Sequence, residues 1–247
     1  MLALLPAAVA LSMAAAAGEA PPGEPLPAAA PASAEAGPDE ALPAAVLPAA
    51  PRKEPVRLVS LVGAPSLGPG GVMWLGGVGF PYLLAAYGQG IGDRDDLGGQ
   101  ISVNWARGEF VLSGFWRREV DRSAPSHLAL RGSIGFFAGF GATWIYSDNA
   151  GSDEGVQLSP GIAWSLDTPL GLLTVAADLP FTWTFERGMG WIFAPEASLA
   201  FEVPVRRDLA VGLRAGVGLR AAGGGAPGAG SDTLLVDVAA LLSYRVF

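Results

Sequence analysis

The stretch LALRGSIGFFAGFGATWIY, residues 128 to 146, keeps a single phase of alternation along its whole length. Leu128, Leu130, Ile134, Phe136, Phe140, Trp144 and Tyr146 fall on one side, and smaller or more polar residues such as Ala129, Arg131 and Ser133 fall between them. Side chains alternate faces only in extended chain, so a period of two reads as strand. A hairpin between Gly135 and Gly139 would break the phase. The stretch therefore reads as one long strand and counts once, not twice, in the strand total.

The same alternation recurs on both sides of it. Residues 97–105 set Leu97, Ile101, Val103 and Trp105 against Gln100, Ser102 and Asn104. Residues 156–166, 171–185, 191–205, 209–221 and 233–247 repeat the scheme. Weaker candidates at 71–80, 82–92 and 109–120 bring the total to ten strands, with eight or twelve if the weak ones merge or split. Tight turns at 93–96, 167–169 and 206–208 alternate with polar loops at 148–154, 186–190 and 222–232, the parity of an up-and-down antiparallel β-barrel.

Alternation alone leaves open which face meets solvent, since a soluble β-barrel or sandwich also has one apolar face, turned inward. Three features favour lipid outside. The candidate strands run from nine to nineteen residues, long enough for the roughly 9–11 tilted residues that cross a bilayer. The less apolar face is mostly Gly, Ala, Ser and Thr rather than the Lys and Glu of a water-facing wall. All seven tryptophans (Trp74, Trp105, Trp116, Trp144, Trp164, Trp183 and Trp191) fall on the apolar phase, most near strand ends, with Tyr146 and Tyr244 in similar places. Such aromatics form girdles at both membrane interfaces. A helical membrane protein is the other option, and the longest uncharged run, 58–92, is the place for a span. That run holds ten glycines as well as Pro65, Pro69 and Pro81, which oppose helix.

The N-terminal quarter has a different composition. Residues 1–17 are apolar and end in small residues, with Ala15 and Ala17 fitting a cleavage site, so they read as a signal peptide. The first basic residue is Arg52, so either the true start lies upstream or the segment is a membrane-anchoring stub. Ten prolines between Pro21 and Pro55 make residues 18–56 an extended, disordered Pro/Ala-rich linker. A net charge of −8 argues against nucleic-acid binding. With no cysteine, disulfides, thiolate metal sites and a Cys nucleophile are excluded.

On this alternation, the aromatic girdles and the aromatic chain end, residues 57–247 resemble the outer-membrane β-barrel proteins of Gram-negative bacteria. The resemblance implies a barrel in the outer membrane, with the linker in the periplasm and outer-membrane lipid as its surroundings. It also implies that the barrel-assembly machinery reads the last strand through Tyr244, Val246 and Phe247. Phe247 falls on the opposite phase from Tyr244 and Val246, so an outward last aromatic would come from a bulge near Arg245 or from fraying at the periplasmic rim.

The inward phase carries charges of both signs: Arg117, Arg131, Asp178, Glu196, Glu202, Arg214, Arg220, Asp237 and Arg245. Counting back from the turn at Arg206 and Arg207 places Glu202 diagonally near Arg214, and Glu196 near Arg220. A largely filled, charge-paired lumen is one reading, and a charge-lined constriction for small solutes is the other. Barrels of about eight strands are filled by side chains and water-filled pores appear at sixteen or so, so the expectation is a structural or surface-binding barrel, with a narrow porin-like channel as the alternative. A barrel-borne hydrolase is the third class, through Asp121, Ser126 and His127. Adjacent residues on a strand face opposite ways, so Ser126 and His127 do not make a nucleophile and base. Asp93, Asp95 and Asp96 form a carboxylate cluster read as a strand turn rather than a cation site, and the loop DNAGSDE (148–154) has calcium-like composition without EF-hand spacing. No enzyme activity, cofactor or metal is expected, and the oligomeric state stays open.

Overall fold

The computed structural model describes residues 59–140, 152–185, 188–226 and 233–246. The signal and linker expectations (1–17 and 18–56), the aromatics Trp144 and Tyr146, and Phe247 lie outside the described residues.

The described chain is built from β1 (Val72–Phe80), β2 (Tyr82–Gly90), β3 (Asp95–Asn104), β4 (Glu109–Ser123), β5 (Ser126–Phe140), β6 (Ser152–Asp167), β7 (Leu172–Asp178), β8 (Phe181–Thr184), β9 (Gly190–Phe193), β10 (Glu196–Pro204), β11 (Leu209–Gly224) and β12 (Thr233–Val246). All pairings are antiparallel, neighbours in sequence pair except β7 with β8 and β9 with β10, β7 pairs with β10, and β1 pairs with β12 from Val72↔Val246 to Phe80↔Val238, which closes the sheet. β7 and β8 both lie along β6, and β9 and β10 both lie along β11, so the twelve segments make ten barrel strands. The ten-strand antiparallel barrel expected from the alternation is the observed fold. Pro180 and Pro195 sit in the two interruptions. Proline has no N–H to give the ladder, yet its carbonyl still accepts: Ala194 N–H bonds Pro180 O at 3.0 Å and Leu219 N–H bonds Pro195 O at 3.0 Å.

The long strand is continuous over the described part of 128–146, and its register with β4 and β6 carries Ile134, Phe136 and Phe140 outward and Ala129 and Phe137 inward. The ladder of β12 is regular to its last pair, with Arg245 opposite Met73. Of the two alternatives for Phe247, the bulge near Arg245 is absent; an irregularity lies on β4 between Glu119 and Asp121. The turn expected at 93–96 is also shifted. β3 already begins at Asp95, which puts Asp96 on the inner wall.

The two mouths differ. At one, β1 begins, β12 ends and the connections 91–94, 124–125, 168–171 and 205–208 are short. The other is where β5, β8 and β11 end and β6, β9 and β12 begin, together with the short connections at Pro81 and 105–108. Outward aromatics gather towards both. Near the short-turn mouth Trp74 packs on Tyr87 (ring centroids 4.8 Å) and faces Tyr244 in the register, with Trp116 beside Leu97 and Trp164 beside Leu128. Towards the other mouth Trp105 meets Phe80 edge-on at 5.2 Å, and Trp183, opposite Trp191, packs on Phe181 at 4.5 Å.

One part of the fold has no strand at all. Residues 59–71 precede β1 and run inside the barrel across its short-turn mouth, and 59, 60 and 62–67 are all buried.

Candidate functional site: the barrel lumen

The inward phase supplies two kinds of wall. Small residues leave room, and polar residues fill part of it. Ala64 of the internal segment packs against Ala129, Ala163 and Ala176, while Val62 packs with Leu75, Ala86, Ala239 and Leu241. Gly90 is needed at the rim of this wall, because a Cβ there would collide with the backbone carbonyl of Gly68.

The polar wall mostly addresses the segment's backbone. Arg117, 2% exposed, donates from Nε (2.9 Å) and Nη2 (2.7 Å) to Asp96, and from Nη1 to the carbonyls of Ser60 and Gly63, the latter at 2.6 Å. Ala64 N–H donates to Ser165 Oγ (2.8 Å), Leu67 N–H to Asp96 (3.0 Å) and Ser66 N–H to Glu119 (3.3 Å). Arg131 and Arg245 donate to the carbonyls of Val62 and Leu67, both at 3.3 Å. Glu202 takes hydroxyl hydrogens from Ser60 and from Ser243 (2.9 Å). An ion removed from water costs several kcal/mol unless it is paired and hydrogen-bonded; here Arg117, Asp96, Glu119 and Glu202 have their partners in the wall or in the segment.

Above the segment, towards the other mouth, lies a cavity of about 300 Å³. Leu61 lines it as part of the floor, with Leu75, Phe115, Phe137 and Ile192 as apolar wall and Gln100, Ser133, Gln157 and Thr182 as polar wall. Three ion-pair groups surround it. Arg131 meets Asp178, Arg214 joins Glu196 and Asp237 (3.0 Å to the latter), and Arg220 reaches Glu109 at 2.9 Å. The last pair spans the lumen, since Glu109 stands on β4 and Arg220 on β11. Arg220 Nη2 has no hydrogen-bond partner.

Every inward charge named from the sequence lies on the inner wall, but the partnerships differ from those counted back from the 206–207 turn. Register does place Glu202 opposite Gly212 and Glu196 opposite Gly218, one diagonal step from Arg214 and Arg220. The side chains nevertheless lean elsewhere. Arg214 takes Glu196 and Asp237, Arg220 crosses to Glu109, and Glu202 is held by the two serines. A cross-lumen partner such as Glu109 cannot be found by counting along one hairpin.

His127 is buried, with Nδ1 2.8 Å from Glu119 and Nε2 3.1 Å from Asp167. Ser126 sits on the opposite face of β5 and Asp121 accepts from Ser123 (2.7 Å), so the three residues considered for hydrolysis do not meet. Asp93, Asp95 and Asp96 diverge. Asp96 pairs inward with Arg117, whereas Asp95 accepts from Trp116 Nε1 on the outer face at 3.2 Å. Among the described residues no group of three His, Asp or Glu side chains is placed to hold a metal ion.

Asp96, Glu109, Glu119 and His127 were missed as lumen residues, although the signal was present. Asp96 continues the phase of Gly98 and Gln100, and Glu109 and Glu119 share the phase of Arg117. Ser60 and Ser66 carried no such signal.

No protein-family model matches the chain, and no curated protein matches it. Its class is given by its geometry: a closed, ten-stranded, up-and-down antiparallel β-barrel with a charge-paired lumen.

Proposed function

We propose that this chain is an outer-membrane β-barrel protein with a closed lumen, acting as a structural or surface-binding element of the cell envelope rather than as a catalyst. The observation that carries the reading is the outer surface. Large apolar side chains stand exposed on all ten barrel strands, among them Val78, Ile134, Leu199, Leu213 and Val238. A protein in water avoids contiguous apolar patches of that extent, whereas a lipid-facing wall flanked by aromatic bands requires them. In this reading the barrel-assembly machinery takes the last strand by its outward Tyr244 and Val246, and outer-membrane lipid covers the belt. The short-turn mouth faces the periplasm.

The charged cavity favours a second reading, a narrow channel for small solutes. Two measurements decide. The folded chain should fractionate with outer membranes and run faster on gels before heating than after; recovery from the soluble periplasm overturns the membrane reading. In planar bilayers the intact chain should be silent, and steady openings overturn the closed lumen in favour of the channel.

A further inference from the structure

We propose that residues 59–68 are a removable stopper: a peptide bound in the barrel's own lumen, whose departure joins the cavity to the short-turn mouth. The proposal concerns this barrel's lumen and extends the closed-lumen reading by naming what closes it.

Four observations carry it. First, the segment is not part of the wall. The seam between β1 and β12 is complete without it, and its only ladder-like bonds are at the rim, Gly70 N–H to Gly90 O (2.9 Å) and Gly90 N–H to Gly71 O (2.8 Å). Second, its seat suits two states. Arg117, Asp96, Glu119 and Ser165 read mainly backbone amides and carbonyls and Glu202 takes the Ser60 hydroxyl, and water can replace these partners, while the apolar part of the seat is alanine methyls around Ala64, with Leu75 and Leu241 against Val62 and Met73 against Val59 and Leu67. Third, both ends of the segment emerge at one mouth. Val59 packs with Leu67 and Met73, and it lines a hollow with Arg206 and Asp208, while Gly71 leads directly into β1. Withdrawal therefore needs no chain end to pass through the barrel. Fourth, Leu61 of the segment and Arg117, which holds it, stand at the boundary with the cavity, so the segment lies between that space and the short-turn mouth.

Because the chain has no cysteine, a single thiol reports on the seat. The test uses the full chain carrying Ser165→Cys, with a specific protease site in place of exposed Pro69 and Gly70, folded and reconstituted in lipid vesicles. Labelling by a membrane-impermeant maleimide should be slow before cleavage and rise at least tenfold after it. A synthetic peptide VSLVGAPSL, residues 59–67, should restore protection, and a scrambled peptide should not. Equal labelling before and after cleavage, or an intact chain that labels as fast as the cut one, overturns the stopper. Cutting follows folding, so a failure of the segment to support folding does not cloud the result. The same labelling can be read in detergent. A barrel that never enters vesicles therefore sinks the membrane reading and leaves this one to be decided by the thiol.

Discussion

Arg117 and Arg206 meet carboxylates at almost the same distance, 2.7 and 2.8 Å, in opposite surroundings. The Arg117–Asp96 pair is buried and the guanidinium also serves two carbonyls of the internal segment. Removing one member of such a pair leaves an uncompensated charge, a loss of about 3–5 kcal/mol. Asp96→Asn should therefore lower the midpoint of urea unfolding sharply, and a shift within error would refute the role given to Arg117. The Arg206–Asp208 pair lies in the exposed turn between β10 and β11. Hydrogen bonds from Arg206 hold the Asp208 carboxyl below the usual carboxylate range. A depressed carboxyl contributes what stability it has above its unfolded pKa and loses it as pH falls through the folded one, so the whole effect is present at neutral pH. Water screens an exposed pair, so Asp208→Asn should leave the pH 7 midpoint unchanged, and a clear drop would contradict that screening.

At the scale of the strand, the inner and outer phases are separate chemical environments. Leu199 stands exposed in mid-strand on β10, facing Val175 and Ala215. If lipid covers that face, Leu199→Arg should cost about 2–4 kcal/mol near the bilayer midplane, seen as reduced folding into vesicles but little change in detergent. Equal behaviour in both would speak against lipid there. Glu109 and Arg220 join opposite walls, and the exchange Glu109→Arg with Arg220→Glu should recover more stability than either single reversal; simple additivity in a double-mutant cycle would mean the pair is uncoupled. The strands were legible because a two-residue period survives any amount of twist. Breaks at Pro180 and Pro195 did not disturb it, since the partner strands hold the register across them. Residues 59–71 were not legible for the same reason. A segment that packs on all sides inside a barrel has no single buried face, and VSLVGAPSLGPGG shows no period. The ion pairs were legible only to their strand: alternation says which way Arg214 points, while which acid it takes depends on lean and on side chains from strands distant in sequence.

For the molecule as a whole, ten strands enclose more room than side chains of this size fill. Glycine and alanine on the inner wall widen it further, and part of the space is taken by the chain's own residues 59–67. The result is a barrel filled at one mouth and hollow above. Its first strand is preceded immediately by the segment that fills it, and that segment goes in and comes out by the same opening. In topological terms it is a tucked loop and not a threaded one, so the sheet can close first and be filled later. Folding kinetics into lipid should reflect this, with the rate of strand closure the same whether residues 59–68 are present or deleted, and only the final compaction step lost. A closure rate that collapses with the deletion would mean that the wall is built around its filling.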